Sequence, residues 1–195
     1  MKKKEIPVAS LAKEIGLMDG ILVLRPKATE MLELSKKAIG SIFCGDTLVC
    51  NFAEIVDCSS SFVDEFIIGW QRIVNQTENA LFILVNFNSD VRYTIEATLN
   101  QRNRISRENL CLIAQTDGRY EVIGSKIEKN VLQVFDLLAD GSHVTARLIA
   151  DEFNIELNSA GNRLKKLFDA HIVFRSEQSE DTGGKYEYYI PKVIG

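Results

Sequence analysis

Three consecutive serines, Ser59, Ser60 and Ser61, are the side chains of this 195-residue chain best placed to do chemistry. They follow an apolar stretch (Leu48, Val49, Cys50 and Phe52, then Ile55 and Val56). They precede a run in which Phe62, Val63, Phe66, Ile67 and Trp70 recur at three- and four-residue spacing. The first stretch reads as a strand and the second as the buried face of a helix, so the serines occupy a helix start. Two chemistries suit hydroxyls there. They can accept hydrogen bonds from the free backbone N–H groups of the first turn, as caps. They can also accept a phosphoryl group, since negative charge is favoured at a helix N-terminus. A phosphate on Ser60 would add about two negative charges and three acceptor oxygens. Asp57, Asp64 and Glu65 stand nearby, and their like charge points toward disruption of a partner contact. Capping and phosphorylation both remain open readings of these residues.

A second polar group lies near the C-terminus. Asn158, Ser159, Asn162, Arg163, Lys165 and Lys166 share a segment with Leu164, Leu167 and Phe168, which reads as a helix capped by Asn158-Ser159. Asn162 and Arg163 carry the amide and guanidinium groups that read base edges, and Lys165 and Lys166 suit phosphates. Arg175 and Lys185 are the basic residues of the hairpin that follows. Glu177, Glu180 and Asp181 of the same hairpin would repel a phosphate backbone, so a protein-binding surface is the alternative.

Other chemistries lack their residues. There is no glycine-rich phosphate loop, GxSxG elbow or HExxH pair. Asp64 and Glu65, adjacent on a helix, point about 100° apart and should not converge on one substrate. His143 and His171 read as surface or boundary residues. Cysteines 44, 50, 58 and 111 form no CxxC pair, so no metal is expected. Cys50 and Cys111 fall in strand-like runs and read as small buried hydrophobes. The cluster Arg102, Arg104 and Arg107 reads as solvated surface or as a contact for an acidic partner. The expectation is a non-enzymatic protein with no cofactor.

The elements that must hold these groups follow from periodicity. Val8 to Ile15 and Ile21 to Leu24 read as the first strands, and Pro26 opens a helix that runs to about Gly40. The central strand, the serine turn and a helix from about Ser61 to Gln76 come next. Ala80 to Phe87 is a near-continuous apolar run, the pattern of a strand covered on both faces. Asn88-Ser89-Asp90 starts a helix to about Asn103. Leu110 to Ala114 and Tyr120 to Ile123 flank an Asp117-Gly118 hairpin signal. Beyond Lys126 the pattern becomes three helices (ending near Asp140-Gly141, near Phe153 and after Phe168). Two strands follow, around Phe174 and around Tyr186, Tyr188 and Ile190, separated by a polar loop over 177–184 that holds Gly183-Gly184. Trp70 reads as core.

The serine turn resembles that of the STAS-like domains, relatives of bacterial anti-sigma-factor antagonists. Leu48 to Phe52 matches their strand, Ser59-Ser60-Ser61-Phe62 matches their turn, and Ser60 falls at the serine that a partner kinase phosphorylates. Ser59 replaces the turn aspartate of those antagonists, Phe62 the glycine, and Asn51 an acidic strand residue. Serines followed by Phe, a small apolar residue, Asp and Glu are closer to the divergent STAS-like branch found beside histidine-kinase-type ATPases. The resemblance covers roughly residues 1–125. Residues 128–192 resemble a winged helix-turn-helix in the order and spacing of their elements, with a boundary at Lys126 to Lys129.

The expected fold class is therefore α/β: a STAS-like mixed sheet with covering helices over 1–125, plus a small winged-helix domain over 126–195. These resemblances imply a bacterial transcriptional regulator, in which the first domain receives a signal and the second binds double-stranded DNA. The alternative is a protein-interaction adaptor, a partner of a histidine-kinase-type ATPase that makes no direct DNA contact. A third idea is a small-ligand sensor at the serine turn, because helix N-termini bind anions. Winged helices often pair, which makes a homodimer a further expectation. Net charge is −4 and evenly shared, with 14 basic against 16 acidic residues over 1–125 and 9 against 11 over 126–195. Neither part is a basic module, which weighs against DNA binding by bulk charge. No apolar run approaches the roughly 18 residues a membrane span needs. MKKKEIPVAS lacks the apolar core of a secretory signal, and free thiols suit a reducing compartment, so the expected location is the cytoplasm.

Overall fold

The computed structural model describes residues 2–106, 108–124, 127–177 and 185–193. In chain order the elements are β1 (Lys2–Pro7), α1 (Val8–Glu14), β2 (Ile21–Leu22), α2 (Arg25–Ile39), β3 (Asp46–Asn51) and β4 (Asp57–Cys58). Then come α3 (Ser60–Phe62), a π-helical turn (Val63–Ile67), α4 (Ile68–Val74), β5 (Leu81–Val85), α5 (Ser89–Ser106), β6 (Leu112–Thr116) and β7 (Arg119–Ile123). The last stretch holds α6 (Lys129–Leu138), β8 (Val144–Thr145), α7 (Ala146–Phe153), α8 (Leu157–Asp169), β9 (Phe174–Glu177) and β10 (Tyr186–Tyr189). The chain is α/β, built on a mixed five-stranded sheet ordered β1-β3-β5-β6-β7. β1, β3, β5 and β6 run parallel, and β7 turns back antiparallel to β6. That last hairpin turns through Asp117 and Gly118, both at positive φ (52° and 78°), where a tight turn between twisted strands needs them.

The N-terminus differs from expectation. Val8 to Ile15 is a helix rather than a strand. Val8, Leu11, Ala12 and Ile15 are the buried residues, and their spacing is helical rather than alternating. The strand is the preceding KKKEIP, whose charges hide it from an apolar pattern. β1 is an edge strand that buries Ile6 alone, and Lys4 reaches Asp46 at 3.0 Å. Edge strands tolerate such lysines, which also discourage pairing with other chains. Ile21 and Leu22 form only a two-residue parallel pairing with Asp57 and Cys58.

Alternate residues of the central strands serve two different cores. Leu48 and Cys50, Phe82 and Leu84, and Leu112 and Ala114 face a front cluster formed with α1, α2, α4 and α5. Trp70 is fully buried there and its Nε1 donates to Ser35 Oγ at 2.9 Å. Val49, Leu81, Ile83, Val85, Cys111 and Ile113 face the opposite way. They share one buried cluster with Val131, Val134 and Phe135 of α6, Leu164 and Leu167 of α8, and Phe174 of β9. The C-terminal helices are thus the second covering layer of the sheet.

Side chains fasten this layer. Asn79 Nδ2 donates to the Arg175 carbonyl at 2.9 Å, and its Oδ1 accepts from the Arg175 N–H at 2.8 Å. Tyr120 Oη donates to the Pro191 carbonyl at 2.7 Å and accepts from Val193 N–H at 3.1 Å. Lys3 Nζ reaches the Val193 carbonyl at 2.6 Å. Within the layer, β8, β10 and β9 form an antiparallel sheet in that order. Thr145 caps α7, its Oγ1 accepting from Leu148 N–H at 3.2 Å. Asn158 and Ser159 do not cap α8. The extended residue before the helix is Glu156, so both lie inside the first turn. The expected boundary at Lys126, Arg107 and the loop with Glu180, Asp181 and Gly183-Gly184 lie outside the described residues. Among the described residues no helix is long and apolar enough to cross a membrane, and no group of three His, Cys, Asp or Glu side chains could hold a metal ion.

Candidate functional site

The three serines hold distinct positions. Ser59 is the N-cap: its Oγ accepts from Phe62 N–H at 3.3 Å, and its own N–H donates to the Leu22 carbonyl at 2.8 Å. Ser61 Oγ lies 3.1 Å from Ser59 Oγ and braces the cap. Ser60 is exposed, and its hydroxyl has no partner among the described residues. The turn therefore contains a structural serine, its support and one free hydroxyl. Cys58, just before it, is buried, and burial and then Asp57 push its thiol up to about 12, away from the reactive thiolate form.

Beside Ser60 and Ser61 lies a cleft of about 300 Å³, walled by Arg25 from α2, Asp64 from the π-helical turn, and Thr98, Arg102 and Ile105 from α5. Its charges form a closed network. Arg25 Nη2 reaches Asp64 Oδ2 and Nη1 reaches Glu65 Oε2, both at 2.9 Å, while Arg102 Nε reaches Asp64 Oδ1 at 2.6 Å. Asp64 and Glu65 both reach Arg25, whose guanidinium is broad enough to span two adjacent carboxylates. Burial acts to raise the Asp64 pKa, but hydrogen bonds from Arg102 and Arg25 outweigh it and hold the carboxyl below its usual range. The same bonds from Asp64 and Glu65 raise Arg25. Arg25 takes its place directly after Leu24, whose φ of 72° is costly for a residue with a side chain, on the order of 1–3 kcal/mol. Leu24 is nonetheless 61% exposed.

Two guanidinium groups line the cleft beside Ser60, and each is held by a carboxylate that a stronger acceptor could displace. The acids near the turn are therefore balanced by arginines 38–40 residues away in sequence. Arg102 belonged to the basic cluster visible in the sequence. Arg25 was signalled only by its place beside Pro26 at a helix start. Arg104, the other described member of that cluster, is exposed.

The C-terminal candidates divide by direction. Asn158, Asn162, Lys165 and Lys166 are exposed on α8, with Ser159 half-buried among them. Lys165 pairs with Asp169, and Lys166 Nζ meets Glu128 Oε1 at 2.6 Å. Arg163 turns inward. Its guanidinium lies 5.9 Å from the Phe153 ring centroid, Nη1 donates to the Asn130 carbonyl at 3.4 Å, and its Nε is buried without a partner among the described residues. Arg175 also turns inward, 4.0 Å from the Phe168 ring centroid and 4.4 Å from that of Tyr186, with Glu78 at 3.3 Å. Lys185 is exposed, 5.1 Å from the Tyr186 ring centroid. His143 stacks on Tyr189 at 4.5 Å and contacts Glu187, and His171 sits half-buried in the turn after α8. The structure thus leaves one outward polar face on α8 and turns Arg163 away from it, while Arg175, on β9, packs against Phe168 and Tyr186. Sequence reasoning missed that division, because the partners of Arg163 and Arg175 lie on other elements. No protein-family model matches the chain, and no curated protein matches its sequence.

Proposed function

We propose that the chain is a non-enzymatic bacterial regulator of the cytoplasm, in which a STAS-like serine-turn unit receives a signal and a winged-helix unit meets double-stranded DNA through α8. The observation that carries this reading is the order α6, β8, α7, α8, β9, β10 with sheet order β8-β10-β9, which leaves the Asn158, Asn162, Lys165 and Lys166 face of α8 outward. In a helix-turn-helix that face enters the major groove. The ion pairs on Lys165 and Lys166 are exposed pairs of the kind worth about 0–1 kcal/mol, so DNA phosphates compete with them readily. At the other end, Ser60 is the acceptor for a histidine-kinase-type ATPase partner, and its phosphate would draw Arg25 or Arg102 from Asp64. A homodimer on palindromic DNA fits the same reading.

The test is fluorescence anisotropy of the full chain with random duplex DNA across a salt series. The reading expects affinity that falls steeply with salt and is lost in a Asn162→Asp/Lys165→Glu double variant that still folds. No binding at low salt would sink it. A second reading, the protein-interaction adaptor, is favoured by one observation: Arg163 and Arg175 are occupied inside the protein, and Glu128 and Asp169 neutralise the two lysines. It expects indifference to DNA and an effect of Ser60→Asp on partner affinity.

A further inference from the structure

A second cleft, of about 350 Å³, lies at the seam between the two layers, where the residues entering β6 meet the start of α6 and the end of α8. Small-ligand pockets run from about 300 to 1,000 Å³ and favour such junctions. Leu110, Cys111 and Val131 give it an apolar lining, and all three are almost fully buried. The polar lining is electrically balanced, because every carboxylate on it has its own cation. Glu108 is gripped by Arg72 through contacts of 2.7 and 2.8 Å, Asp169 by Lys165, and Glu128 by Lys166.

We propose that this cleft binds a free α-amino acid with an apolar side chain, which enters the Lys166–Glu128 ion pair. The ligand's carboxylate takes Lys166, its ammonium takes Glu128, and its side chain lies on Leu110, Cys111 and Val131. Charge selects this class. A lone anion would satisfy Lys166 and strand Glu128, and a lone cation would do the reverse, whereas a zwitterion replaces both halves of the pair at once. The pair is easy to open, since its side chains are 54% and 59% exposed. The apolar lining sets the side-chain preference and leaves a charged side chain without a partner. Lys166 stands both on this cleft and on the outward face of α8, so an occupant changes what that face presents. The binding itself does not depend on whether α8 meets DNA.

Isothermal titration calorimetry of the full chain tests this, with L-leucine, L-isoleucine and L-valine as probes. Two analogues serve as controls: 3-methylbutylamine, which lacks the carboxylate of leucine, and 4-methylpentanoate, which lacks its ammonium. At least one of the three amino acids should bind saturably at one site with a Kd below about 1 mM. Both analogues should bind more weakly, by up to about fivefold each, because each forgoes one exposed ion pair. Lys166→Ala and Glu128→Ala, at exposed positions that keep the fold, should each weaken the amino acid by a similar factor. Absence of saturable binding by all three amino acids would overturn the proposal. So would equal binding by either analogue, or affinity unchanged in both variants.

Discussion

The two faces of the central sheet are closed by different means. The front is covered by helices that alternate with the strands, so each covering segment lies near its strand in sequence. The back is covered by the C-terminal helices and their small sheet, which arrive only after the last strand. The two polar sites divide in the same way. At the front, Arg25 and Arg102 line the cleft beside Ser60, whose hydroxyl has no partner among the described residues. At the back, Arg163 and Arg175 pack against the rings of Phe153, Phe168 and Tyr186, while Asn158, Asn162, Lys165 and Lys166 of α8 face outward. The difference teaches that composition alone does not place the strong cations: Arg25 and Arg102 pair with carboxylates at an open cleft, whereas Arg163 and Arg175 pack against aromatic rings.

The largest expected effect tests whether the layers are interdependent. Ile83 and Leu84 are neighbours on β5, both fully buried, one facing each core. Ile83→Ala and Leu84→Ala should each cost about 2–5 kcal/mol. Both should lower the melting of the whole chain as one transition, read by calorimetry. Two transitions, with only one moved by each variant, would separate the faces again.

A smaller effect reads the front network through pH. The folded carboxyl of Asp64 lies below its unfolded value of about 3.9. Its contribution is therefore present above that value and is lost as pH falls through the folded pKa. Asp64→Asn should cost about 1–2 kcal/mol at neutral pH, allowing for the half-exposed Arg25, and should flatten the acid limb of the stability curve below about pH 4. An acid limb unchanged in the variant would show that the network contributes nothing there.

The smallest effects separate the serines. Ser59→Ala should cost about 0.5–2 kcal/mol through loss of the cap. Ser60→Ala should stay within about 0.5 kcal/mol, as an exposed side chain with no partner among the described residues. Equal costs in chemical denaturation would erase the distinction between a structural and a free hydroxyl.

Much of the layout was legible because it rests on local signals. Pro26 marks α2, Asp117-Gly118 marks the β6–β7 hairpin, and the helical spacing after Ser61 marks the run through Trp70. The apolar run at β5 also announced a strand covered on both faces, although not that different parts of the chain cover them. Two things were hidden. β1 carries three lysines and one buried residue, so its strand character comes from pairing with β3 rather than from any pattern of its own. The candidate sites depend on contacts between distant segments, Arg25 with Asp64 and Asn79 with Arg175, which no local window contains. The capping role of Ser59 was readable from its position, whereas the solitary state of Ser60 needed the surrounding structure.

The central claim, that the C-terminal helices share one core with the back of the sheet, is tested most directly by native-state hydrogen exchange of the full chain under increasing denaturant. The structure predicts that the slowest amides of β5, α6 and α8 exchange through one common opening, with the same free energy and the same denaturant dependence. Exchange of α6 and α8 through a separate, lower-energy opening, with β5 still protected, would contradict it.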